Sequence, residues 1–201
     1  MAKVEALVDF PQVASKLQNT KPIYEDDMKT HLKGAYDKMN SLRDVWGGNL
    51  YNFVQQQWNE QVVYLNKFII ATAESYNMVS EALKNFSTAD GQPMNKGTIE
   101  SFSLGTMLNS DPNKLKTNSS VMEETNKQIV DHLSIAITAI EKIFTNLTTI
   151  NAQSANLDRL KSEMSQYRHK IVEALTNIQQ AINHNIETAA GNYKAAEGSI
   201  Q

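Results

Sequence analysis

The stretch "SLRDVWGGNLYNF", residues 41–53, ends one helical pattern and begins another. Upstream of it, Met28, Leu32, Ala35, Met39, Leu42 and Val45 recur in steps of three and four, which is one face of a helix. Downstream, Leu50, Val54, Trp58, Val62, Leu65, Ile69, Tyr76, Val79, Leu83 and Phe86 make a second stripe. Gly47 and Gly48 stand at the break, where left-handed dihedrals are needed and glycine adopts them without steric cost. Two long helices joined by so short a break fold back on each other, so residues 24–88 are expected to form an antiparallel hairpin. Trp46, Gly47 and Gly48 are its turn motif. A large aromatic beside such a turn is more than punctuation, and Trp46 is expected to offer an apolar face at the tip.

The plan repeats further on. Ile129, Leu133, Ala136, Ile140, Phe144 and Leu147 form a third stripe, and "TTINAQSAN" breaks it with cap-forming residues near Asn151. Leu157, Leu160, Met164, Tyr167, Ile171, Leu175, Ile178, Ile182, Ile186, Ala189, Tyr193 and Ala196 form a fourth. Residues 120–201 therefore read as a second hairpin. Between the two, residues 89–119 are rich in glycine, serine, asparagine and proline; only "TIESFSLGTML" there has room for a short helix. Residues 1–23 form an N-terminal segment, with Asp9 placed to cap a short helix opened by Phe10 and Pro11. Pro22 is expected to break the chain, leaving Asp26 and Asp27 in the first turn of the next helix, near the positive end of its dipole.

The fold expected is all-α: two tandem antiparallel helical hairpins packed as an elongated four-helix bundle. The connector bears on their arrangement. Side-by-side hairpins with both turns at one end need only a few linking residues. A connector of about 30 residues reaches roughly 100 Å when extended, enough to run the length of a bundle and set the hairpins antiparallel.

A net charge of −3 with scattered lysines and arginines argues against nucleic-acid partners. There are no cysteines, hence no disulfide and no thiolate metal site. The N-terminus lacks the apolar core of a signal peptide, and "KFIIATA" is too short to span a membrane, so membrane insertion is not expected. Composition by itself suggests the cytosol. His31, His132, His169 and His184 are dispersed and never pair at i, i+4. His184 and Glu187 lie one turn apart without a second ligand pair and are read as solvent-facing. No phosphate loop, nucleophile elbow or kinase signature is present. No catalytic, cofactor-binding or metal-ligating residue is expected, and the chain is read as a non-enzyme.

Helix, Trp-x-Gly turn, helix resembles the WXG superfamily of small helical-hairpin proteins exported by type VII secretion. Trp46-Gly47-Gly48 stands in the matching place. Tyr193 and Glu197, in "GNYKAAEG", resemble the family's C-terminal export signal, Tyr-x-x-x-Asp/Glu; residues four apart share a helix face. None of the other six tyrosines has an acid four residues on. The chain departs from the family in being about twice the length of a single-hairpin member, and its second hairpin has no Trp-x-Gly. It looks like a family dimer fused into one polypeptide, with the first hairpin's turn beside the second's tail. The resemblance implies a virulence-associated bacterial protein, made in the cytoplasm and secreted without a signal peptide. Its partners would be the type VII secretion ATPase and machinery, and another helical secreted protein or a second copy of itself. A helical membrane-active toxin component of the pore-forming type is the alternative, and a cytosolic structural adaptor a third reading.

Overall fold

A computed structural model describes residues 7–91 and 97–199. The outermost parts of the N-terminal segment and tail, and connector residues 92–96, lie outside the described residues. Among the described residues the protein is all-α apart from one two-residue strand pair. In chain order the elements are β1 (Leu7–Val8), α1 (Phe10–Pro22), a π-helical segment (Ile23–Lys29), α2 (Thr30–Val45), α3 (Asn49–Ala89), α4 (Ser119–Thr148), β2 (Ala152–Gln153) and α5 (Ala155–Gly198).

The first helix starts where its cap signals put it. The Asp9 side chain accepts from the Gln12 backbone N–H, with Pro11 in the first turn. Pro22, however, does not break the chain. The backbone stays helical from Phe10 to Val45, and the wider π turns begin directly after the proline. A proline lacks the N–H and crowds the carbonyl four residues back; a locally wider helix absorbs both defects without ending it. Asp26 and Asp27 consequently lie inside a continuous helix rather than at its start.

The apolar stripes are the core. Met28, Leu32, Ala35, Met39 and Leu42 are buried, as are Ile129, Leu133, Ala136, Ile140, Phe144 and Leu147. On α3 the first-turn register differs from the expected one: Tyr51 is buried and Leu50 is 45% exposed. The Tyr51 ring packs edge-on against Trp46, and its hydroxyl donates to the Leu108 carbonyl at 3.0 Å. Tyr167 and Ala196, both expected on the α5 stripe, face solvent. α4 packs on α5, on α2 and on the π segment, and α3 packs on α5.

The two helical turns lie at opposite ends. Residues 149–154, the second turn, are fastened to the start of α1. Asp9 N–H donates to the Asn151 carbonyl at 2.8 Å, Leu7 and Val8 pair with Gln153 and Ala152, and Lys161 Nζ donates to the Ile150 carbonyl at 2.9 Å. The first turn follows Val45, some 36 helical residues further along, about 50 Å away at 1.5 Å per residue. There Gly47 N–H donates to the Lys116 carbonyl at 2.9 Å, just before α4 begins.

From Gly97 onward the connector runs toward the first turn as an extended strap, with no helix over "TIESFSLGTML". Four asparagines on one face of α3 hold it, each amide gripping both the N–H and the C=O of one strap residue. Asn77 grips Ile99 (3.0 and 2.9 Å), Asn66 grips Leu104 (2.8 and 3.0 Å), Asn59 grips Met107 (2.7 and 3.2 Å) and Asn52 grips Ser110 (2.8 and 3.2 Å). The same polar groups that a neighbouring β-strand would satisfy are satisfied by side-chain amides. That alternative supply of partners is why the segment need not coil into a helix. Ile99, Leu104 and Met107 are buried beneath it. Tyr24, Tyr36 and Tyr51 add hydroxyl donors to strap carbonyls. Burial, with a smaller push from Glu25, raises the Tyr24 phenol to about 12, so it remains a donor at ordinary pH. Gly105 faces the Tyr36 hydroxyl so closely that no Cβ would fit.

Candidate functional site

The end of the molecule that carries the first turn gathers most of the residues singled out by the sequence. Trp46 terminates α2 in an extended conformation, its N–H still donating to the Leu42 carbonyl at 2.7 Å. Gly48 has φ of +89°, a conformation in which a side chain would be strained. Its N–H donates to Ser110 Oγ at 3.1 Å. Gly47 passes close under the strap: a Cβ there would sit 3.1 Å from the Lys114 carbonyl oxygen. Both glycines are therefore needed, the second for its dihedral and the first for clearance.

Trp46 is not the exposed apolar face expected of it. The residue is fully buried, stacked edge-on to Tyr51 with ring centroids 5.8 Å apart. The strap crosses the tip, and the tryptophan fills the space between α2, α3 and α5. Its indole N–H has no hydrogen-bond partner. The apolar surface at this end is supplied instead by the next turn of α3, where Leu50 is 45% and Phe53 51% exposed. With Trp46 and with Asn185, Thr188 and Asn192 of α5 they line a cavity of about 120 Å³.

The tail reaches the same end. Tyr193, immediately after Asn192, is half-buried against the core, and Glu197 is exposed. Glu197 is nonetheless engaged: its carboxylate accepts from Ser119 Oγ at 2.9 Å and from Thr117 Oγ1 at 3.2 Å. Lys194 pairs with Glu123 at 3.2 Å. These contacts fasten the last turns of α5 to the beginning of α4, where a carboxylate also suits the helix dipole. The tail motif thus has a structural task beside any recognition role. Trp46 and Tyr193 come from different hairpins and are brought to one end, but the tryptophan is enclosed and only the tail is accessible.

Of the histidines, His169 and His184 are exposed. His31 and His132 are not dispersed in space but in mutual contact. No sequence spacing could have shown this, because the pair is formed across two helices. The asparagine ladder was partly visible, since Asn52, Asn59 and Asn66 recur every seven residues. Its partner is a backbone, which has no sequence signature. Among the described residues no three His, Cys, Asp or Glu side chains come together as a metal-ligand group, and no helix is long and apolar enough to cross a membrane. A shallow cleft of about 450 Å³ between Gln57–Gln61 of α3 and Ala174–Ile182 of α5 is open to solvent.

No protein-family model matches the chain, and no curated protein or solved structure matches it.

Proposed function

We propose that this chain is a WXG-like protein exported by a bacterial type VII secretion system, its two hairpins forming an elongated four-helix bundle that works by binding rather than catalysis. The observation that carries the reading is the meeting of two motifs from separate hairpins. The Trp46-Gly47-Gly48 turn and the Tyr193/Glu197 tail occupy one end of the molecule, as the turn and tail of two partners would in a dimer of single hairpins. On this reading the protein is made in the bacterial cytoplasm and leaves without a signal peptide. The secretion ATPase and machinery read the tail. The exposed Leu50 and Phe53 beside it suit an aromatic and aliphatic contact with another helical secreted protein or a second copy.

The test is the ratio of extracellular to intracellular protein in the native host, with a cytosolic marker to control for lysis. Tyr193→Ala and Glu197→Gln are expected to be retained inside, at normal total abundance. A Thr117→Val/Ser119→Ala double variant loses the contacts that hold Glu197 but keeps the motif, and is expected to be exported. Wild-type export of the tail variants would remove the main support for this reading. Equal loss of export in the double variant would assign Glu197 a structural role only.

A further inference from the structure

His31 on α2 and His132 on α4 are 101 residues apart, yet their Nδ1 atoms lie 2.9 Å from each other. The ring centroids are 5.1 Å apart and the planes tilted by 50°. Gly34, almost one turn beyond His31, makes the approach possible: a Cβ there would stand 2.6 Å from Cε1 of His132. The imidazole occupies the space that any other residue at 34 would fill. Both rings are half-buried in the seam where α2 packs on α4.

A hydrogen bond between two Nδ1 atoms requires one to carry a proton and the other a lone pair. The neutral pair meets this with opposite tautomers. A pair holding one extra proton also meets it, the imidazolium donating to the neutral ring. A second extra proton leaves two N–H groups facing each other and two positive rings in contact. We propose that His31 and His132 form an acid-sensitive clasp between α2 and α4, closed while the pair holds at most one extra proton and opened by the second.

The surrounding charges come from the same two helices. Asp37 and Lys38 lie on α2 and Asp131 on α4. Burial is the largest influence on His132, followed by the His31 charge and then Lys38, and together they outweigh the two aspartates and push the imidazole below its usual range. The unfolded chain, at the ordinary histidine value near 6.5, then binds protons that the folded protein resists. The clasp's contribution is complete above that value and is lost as pH falls through the lower, folded one.

The test follows urea unfolding between pH 5 and 8 for the wild type and the His31→Gln/His132→Gln double variant. The wild-type midpoint is expected to fall on acidification by on the order of 0.3 M more than that of the double variant. Imidazole ¹⁵N spectra of the wild type give a second readout that no variant's folding can obscure. Two inequivalent Nδ1 signals, one protonated and one bare, are expected at pH 8, with titration in two separated steps. Gly34→Ala pushes a methyl group into the His132 ring and is expected to abolish that inequivalence. Parallel pH profiles for wild type and double variant, or two rings that titrate together in one step, would overturn the clasp.

Discussion

The two helical turns solve the same problem in different materials. The first, Trp46 to Gly48, reverses the chain with a left-handed glycine, seals the bend with a fully buried tryptophan and is crossed by the strap. The second, residues 149–154, contains no glycine. Ser154 caps α5 by accepting from the Leu157 N–H, and the bend is held by Asp9, Gln12 and Lys161 through polar bonds. An aromatic plug tolerates little change of shape, whereas a set of separate hydrogen bonds can lose one member and persist. The first turn should therefore be brittle and the second forgiving.

The largest expected effect follows from that contrast. Trp46→Ala should cost about 3–5 kcal/mol, since it empties a filled site at the junction of three helices. Chemical denaturation measures it, and a loss under 1 kcal/mol would mean that the strap, not the ring, holds the turn. Next comes the strap itself. Asn66→Ala should cost about 1–3 kcal/mol, because it strands both the N–H and the carbonyl of Leu104, and Asn59→Ala should cost less, because Gln55 still donates to the Met107 carbonyl and only the N–H is stranded. Hydrogen exchange sharpens the point: amides of Leu104 and Met107 should lose protection while those of α4 keep theirs. On the forgiving side, Ser154→Ala should cost only about 1 kcal/mol, the usual value of an N-cap. Smallest of all, Glu197→Gln should change stability by a few tenths of a kcal/mol, as expected of an exposed contact. A larger loss there would make the tail a structural clamp first.

These differences also explain what could be read from sequence. The apolar stripes of α2 to α5 were legible because a buried helix face needs apolar residues every three or four positions, whatever it packs against. The Asp9 cap was legible as local chemistry, and the cap-forming run "TTINAQSAN" marked the second turn without singling out Ser154. Pro22 misled because its cost depends on whether the helix can widen, which is decided by what packs around Ile23–Lys29. The strap's course was expected from the connector's length, but what holds it extended was largely illegible, for a different reason. Its holding groups are polar, lie on a second face of α3 and act on main-chain atoms, so "TIESFSLGTML" bears no mark of them. At the candidate site the turn and tail motifs were visible, but the burial of Trp46 was not, because the α5 residues that enclose it together with α3 are distant in sequence. The His31–His132 contact had no local trace at all.

Everything said of the turn end depends on the two hairpins running in opposite senses, so that Leu50 and Asn192 border one cavity while residue 153 is remote. The chain has no cysteine, so pairs of spin labels can be placed at will on Leu50→Cys/Asn192→Cys and Leu50→Cys/Gln153→Cys. The arrangement predicts a short distance, under about 20 Å, for the first pair, and about 50 Å for the second, the length of the Phe10–Val45 helix at 1.5 Å per residue. The reverse order, with residue 153 near the first turn and residue 192 far from it, would contradict the arrangement and separate the tryptophan turn from the tail.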